Sequence, residues 1–182
     1  MAVVYKHNPL DFHKEAFLAA EASLAANDQG KFWEYHDLLF ANTKALQRDK
    51  LEGYAQQLGL DMVAFNSALD LGVFKEQVAR DIKLAKSIGI KGAPNTVVNG
   101  RQVSGAVPFE DFKKIIDEEM KKAKKKIAAG TSRAEVYNAT VARGKIQTDF
   151  DEKVNYFSYE GSPTIGNPAT AKIIITEFSE FQ

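Results

Sequence analysis

The sequence predicts an α/β fold in which a large helical block interrupts a sheet. Three observations carry this. A short apolar strand pattern at 2–7 gives way to a long stretch of helical periodicity. A proline loop, a strand and an Asn99-Gly100 hairpin signal then break the helices. Last, the chain closes on Ile173-Ile174-Ile175-Thr176, an unbroken β-branched run that suits a strand covered on both faces with parallel neighbours.

The elements follow in order. Residues 2–7 read as a buried strand, bounded by Asn8-Pro9. Phe12, Ala16, Ala19, Ala20, Ser23 and Leu24 recur at helical spacing, and "NDQG" stops that helix at Gly30. "KFWEYHDLLFA" is a second helix, with Phe32, Tyr35 and Leu39 on one stripe and Trp33, His36 and Phe40 beside it. "DKLEGYAQQLG" is a third, stopped by Gly59. Asp61 caps a short fourth helix running through Leu69. "VFKEQVARDIKLAKSIG" is a fifth, with Phe74, Val78, Ile82 and Ala85 as its apolar face.

The texture changes at "IKGAPNTVVNGRQVSGAVPF". It reads as a proline loop, a strand at 96–98, the hairpin turn, and a strand at 101–104. Pro108 suits the first turn of a long helix. Its expected buried stripe is Phe109, Phe112, Ile115, Ile116 and Met120. The lysines at 121–126 complement its macrodipole. Residues 128–152 read as a linker holding a short, weakly amphipathic helix at Val136, Tyr137 and Val141. "KVNYFSY" alternates like an edge strand, and "EGSPTIGNPATA" is a Gly/Pro loop. Nothing between residues 8 and 95 offers a sheet centre. The final strand is therefore expected in the middle, between the Val3–Tyr5 strand and the Val97 strand.

Composition narrows the chemistry. The formal charge is zero, which gives no electrostatic case for nucleic acid, and no apolar run reaches transmembrane length. Residues 1–5 lack the basic region and apolar stretch of a signal peptide. There is no cysteine, so these 182 residues contain no disulfide, zinc–thiolate site or thiol nucleophile. His7, His13 and His36 lack the spacing that places two ligands on one helix face, and no metal or other cofactor is expected. His36, among core aromatics, is expected to have a satisfied ring. "GSPTIGNP" lacks the Gly-Lys-Ser/Thr ending of a phosphate loop.

Read in cyclic order, three segments resemble one family. "EGSPTIGNPATAKIIITEFSEFQ" resembles the opening of DsbA-type thiol:disulfide oxidoreductases, whose next residues are the active-site Cys-x-x-Cys. "AVVYKHNPLDFHKEAFLAAEASLAANDQGKFWEYHDLLFA" resembles their second core strand and inserted helical subdomain. "GIKGAPNTVVNGRQVSGAVPFEDFKKIIDEE" resembles their cis-proline loop, hairpin and last helix. The resemblance implies a thioredoxin-like fold. Its core would be 1–10 and 89–127, its helical subdomain 11–88, its linker 128–152, and 153–182 the opening strands of such a unit. The family's catalytic helix is absent, and its loss should leave apolar sheet surface. Two arrangements fit: a circularly permuted chain, or a piece of a tandem protein. A selenocysteine codon read as stop would also produce this frame; an in-frame TGA after the Gln182 codon, followed by codons for x-x-Cys, is the expected sign.

By the same resemblance Ala93, Pro94 and Asn95 form a peptide-docking loop, with the Ala93–Pro94 bond cis. Glu177 matches the buried acid that exchanges a proton with the second thiol, and Lys6 on the neighbouring strand is its candidate partner. The alternative is that Glu177 and Lys6 both face solvent. Glu180 is expected to be exposed. The family acts on extended or unfolded proteins in extracytoplasmic compartments. This chain, without thiols, is expected to be inert; a redox-inactive peptide-binding or assembly module is the rival reading. A homo-oligomer is expected, with the last strand either returning to its own sheet or joining a second copy in a strand-swapped dimer.

Overall fold

The computed structural model describes residues 1–142 and 159–181. In order, the elements are β1 (Ala2–His7), α1 (Ala16–Asp28), α2 (Phe32–Ala41), α3 (Arg48–Gln57), α4 (Met62–Asp70), α5 (Lys75–Ser87), β2 (Asn95–Val98), β3 (Arg101–Ser104), α6 (Phe109–Ala128), α7 (Val136–Val141), β4 (Thr164–Ile165) and β5 (Ile174–Ser179). They form two compact units: Met1–Lys6 with Ala85–Phe178, and His7–Leu84 with Ser179–Gln182. The linker expectation for 143–152 and the edge strand expected at 153–159, up to Ser158, lie outside the described residues.

The first unit is built on a five-stranded sheet in the order β3-β2-β5-β1-β4. The last strand is central. Antiparallel pairing with β2 sets Val97 opposite Thr176 and Val98 opposite Ile175. On its other side, Ala2 N–H donates to Ile173 O at 2.9 Å, and Asn8 N–H to Ser179 O at 2.8 Å. Both partner numbers rise together, which is the mark of a parallel pair. Side chains then alternate between faces. Ile173 and Ile175 pack with Val98, Ala123 of α6 and Val136 of α7. Ile174 packs with Ala2, Val4, Ala171, and Tyr137 and Val141 of α7.

The short helix expected at Val136, Tyr137 and Val141 is α7, and these three side chains are buried in the two clusters. This helix looks weakly amphipathic in sequence because its side chains serve two clusters. Phe109, expected in a buried stripe, is 71% exposed. It opens α6 ahead of the turns that meet the sheet cluster, where Phe112, Ile115, Ile116 and Met120 are half-buried. The Gly/Pro loop contains β4, where Val3 faces Ile165 and Val4 faces Thr164. Gly166 permits this close approach: at φ +87, an added Cβ would sit 2.6 Å from Met1 O.

The second unit is helical. α1 is an alanine-rich rod buried nearly all round, and it packs against α2, α3 and α4. Phe32, Tyr35 and Leu39 form the buried stripe of α2. Tyr35 OH donates to Leu51 O of α3 at 2.9 Å, and its ring lies 5.9 Å from Phe65 of α4. Asp61 caps α4 by accepting from the Val63 and Ala64 N–H groups. Phe12 falls outside the helix pattern it seemed to start and is 74% exposed. The Leu10–His13 turn, closed by His13 N–H donating to Leu10 O, holds this segment out of α1.

Candidate functional site

In the first unit, the loop before β2 is fixed by the hairpin that follows it. Asn95 begins β2, opposite Ser104 of β3 and Phe178 of β5. Its Nδ2 donates to Ser104 Oγ at 3.2 Å, and Gly105 N–H donates to Pro94 O at 3.0 Å. At the turn, Asn99 (φ 47) and Gly100 (φ 86) adopt the left-handed backbone that a two-residue hairpin requires. The Ala93–Pro94 peptide is cis. Pro94 is exposed, Ala93 half-buried and Asn95 buried.

Asn99 does a second job. Its N–H donates to Ile174 O at 2.9 Å, its Oδ1 accepts from Ile174 N–H at 2.8 Å, and its Nδ2 donates to Lys172 O at 3.2 Å. One side chain therefore continues the ladder where β5 begins. Glu177 lies farther along β5, opposite Thr96, and is half-buried. Lys6, on the adjacent strand β1, is 6% exposed and so does not face solvent.

In the second unit, the residues after β5 are anchored closely. Glu180 was expected to be exposed and is instead 7% exposed. Its Oε2 accepts the Leu10 N–H at 2.8 Å, and its Oε1 lies 2.8 Å from His13 Nδ1. These bonds replace the water that a free carboxylate would keep. Phe181 is fully buried, 5.2 Å from the Phe40 ring, 5.8 Å from His36 and 6.1 Å from His7. His36 sits among Trp33, Phe40 and Phe181, and its Nδ1 lies 2.9 Å from Asp37 Oδ1. His7 is buried; its backbone N–H donates to Asp81 Oδ2 at 3.1 Å.

Sequence reasoning missed the Glu180–His13 pair. The one available signal was position: Glu180 stands between Phe178 and Phe181 in a tail otherwise fit for burial. Among the described residues, no group of three or more His, Asp or Glu is placed to hold a metal ion. Among them too, no helix is long and apolar enough to cross a membrane.

Comparison with known proteins agrees with this architecture. The DSBA-like thioredoxin domain family matches residues 2–117. The chain is 42% identical over 108 residues to the Na(+)/H(+) antiporter NhaA 1 of Salinispora arenicola, covering 59% of this chain and 17% of that protein. It is 40% identical over 103 residues to the Na(+)/H(+) antiporter NhaA of Herminiimonas arsenicoxydans, covering 57% and 16%. The chain thus spans only a small part of the curated relatives it matches. No solved structure matches it. A mixed sheet with a central last strand, a helical unit following the first strand, and a family match over more than half the length lead to one conclusion: this chain belongs to the DSBA-like thioredoxin domain family.

Proposed function

We propose that this chain supplies the scaffold and peptide-docking loop of a thiol–disulfide exchange unit. The observation that carries the reading is the exposed Ala93–Pro94 turn, held beside the sheet by β2 and β3, in a chain of this family. An extended peptide would add to the backbone there as an extra strand does. Glu177 and Lys6, half-buried and buried on neighbouring strands, are the proposed proton-handling pair. With no cysteine in its 182 residues, the chain forms no mixed disulfide itself.

The test is titration of the labelled chain with an unfolded, cysteine-free peptide. Backbone NMR shifts should concentrate at 92–96, and Pro94→Ala should weaken binding several-fold. Shifts scattered elsewhere, or none, would refute the docking assignment. Insulin reduction should stay at the uncatalysed rate; turnover by this chain would overturn the inert reading.

A second reading, a redox-inactive binding module within a longer protein, is favoured by one observation. The matched segment makes up only 16–17% of relatives named as antiporters. Peptide binding together with no exchange activity in the longer protein would select it. For assembly, we propose that the last strand pairs within its own chain. A solution mass twice that of one chain, with Val97–Thr176 contacts running between chains, would select the strand-swapped dimer instead.

A further inference from the structure

The docking loop carries a charge imbalance that the chain as a whole lacks. The chain has 24 Asp and Glu residues, yet residues 88–108, which hold the loop and both hairpin strands, contain none of them. The cations in that stretch are Lys91 and Arg101. Arg101 is answered by Glu118 of α6, 2.6 Å away. Lys91 is exposed, stands two residues before Ala93 and meets no carboxylate among the described residues. Glu177 lies opposite Thr96, so strand alternation puts its side chain on the other face of the sheet from Asn95 and Ser104. Ser104 adds direction to this charge. Its Oγ accepts from Asn95 Nδ2 at 3.2 Å and from Gln102 Nε2 at 3.4 Å. A hydroxyl has two lone pairs and one hydrogen, so both lone pairs are engaged and the hydrogen is left to donate. Ser104 is exposed and donates to no acceptor among the described residues. The next residue, Gly105, donates its N–H to Pro94 O at 3.0 Å, so this hydroxyl stands beside the Ala93–Pro94 turn.

We propose that the loop selects extended peptides bearing an Asp or Glu side chain beside the docked backbone, with Lys91 supplying the charge and Ser104 the hydrogen bond. The proposal rests on the docking reading above and names the class of peptide that the loop takes. An ionised carboxylate only accepts hydrogen bonds, so it suits a hydroxyl whose own acceptor sites are filled. A bond from that hydroxyl to an ionised oxygen is roughly twice as strong as one between neutral groups. A lysine at the same place in the peptide would meet a like charge and no free lone pair. Lys91 and Ser104 are therefore specificity-determining residues and take no part in any bond-making step.

The test uses cysteine-free peptides of one sequence, acetylated and amidated at their ends, that differ only in carrying Glu, Gln or Lys at one position. That position is walked along the peptide, so the single side chain is the only carboxylate present. Binding to the intact chain is read by fluorescence anisotropy, and folding of each variant by circular dichroism. At the best position and low salt, the Glu peptide should bind about fivefold more tightly than the Lys peptide, the size expected of one exposed ion contact and one charge-assisted hydrogen bond. The Gln peptide should fall between them, and the preference should shrink as salt is raised. Lys91→Gln should remove the salt dependence. Ser104→Ala should weaken the Glu peptide several-fold and leave the Lys peptide unchanged, and Ser104→Thr, which keeps the hydroxyl, should retain the preference. Equal affinities for the Glu and Lys peptides at every position would overturn the proposal and leave the docking reading intact. A preference for Glu that survives Lys91→Gln and Ser104→Ala together would overturn it as well. No binding by any of the peptides would overturn the docking reading and this proposal with it.

Discussion

Two buried polar side chains hold the two ends of the last strand, and they do so with different chemistry. Asn99 grips Ile174 and Lys172 where β5 begins, through neutral bonds to backbone. Glu180 grips Leu10 and His13 just past its end, with a carboxylate. A neutral amide is enough to continue a ladder, because it carries both a donor and an acceptor. Burying a carboxylate costs desolvation that an amide largely avoids. That cost is accepted at the end where the partner is an imidazole. One strand is thus held by an amide clasp at its start and a carboxylate clasp past its end.

The largest expected effect concerns what both clasps serve, the buried start of the strand. Ile173 is fully buried, and Ile173→Ala should lower stability by about 2–5 kcal/mol in urea unfolding. The same change at exposed Ile165 should cost less than about 0.5 kcal/mol. Equal effects would remove the distinction between a central strand and a marginal one.

Asn99→Ala comes next. It leaves the Ile174 N–H without its acceptor and puts alanine at φ 47, so about 1–3 kcal/mol should be lost. Asn99→Gly should recover the backbone part only. Glu180→Ala should cost about 1–2 kcal/mol by orphaning the Leu10 N–H. Glu180→Gln should cost less, since an amide oxygen still accepts that bond. If Gln at 180 were as harmful as Ala, shape and charge could not be separated there.

The smallest effect is pH-dependent. Burial pushes the Glu21 carboxyl above its ordinary 4.5, and the charge of Lys75 only partly offsets this. A folded-state value above the unfolded one means that the folded chain binds more protons in that window. Stability from this group therefore falls as pH rises from 4.5 through the raised value. Glu21→Gln should raise the melting temperature at pH 7 relative to the parent and leave it nearly unchanged at pH 4. The reverse ordering would contradict the buried, raised carboxyl.

Much of this fold was legible because its signals are local. Strand β1, the Asn99-Gly100 turn, the Asp61 cap and the Phe32–Tyr35–Leu39 stripe each rest on a few neighbouring residues. The central place of Ile173–Thr176 followed from an unbroken apolar run that needs cover on both faces. The failures are all long-range. Phe12 looked helical and Phe109 buried by periodicity, yet Phe12 lies ahead of α1 and Phe109 opens α6, both exposed. The short helix at 136–141 was legible, but its role was not, because its residues divide between two clusters. Glu180 looked exposed because its partners, Leu10 and His13, lie 170 and 167 residues away. No window along the chain could have paired them.

Both clasps presuppose the last strand lying between β2 and β1. Interstrand NOEs in a uniformly labelled sample test this most directly. The expected result is strong cross-peaks joining Val97 to Thr176 and Val98 to Ile175, together with contacts between Ala2 and Ile173. Absence of the Val97–Thr176 and Ala2–Ile173 contacts in the folded protein would contradict it.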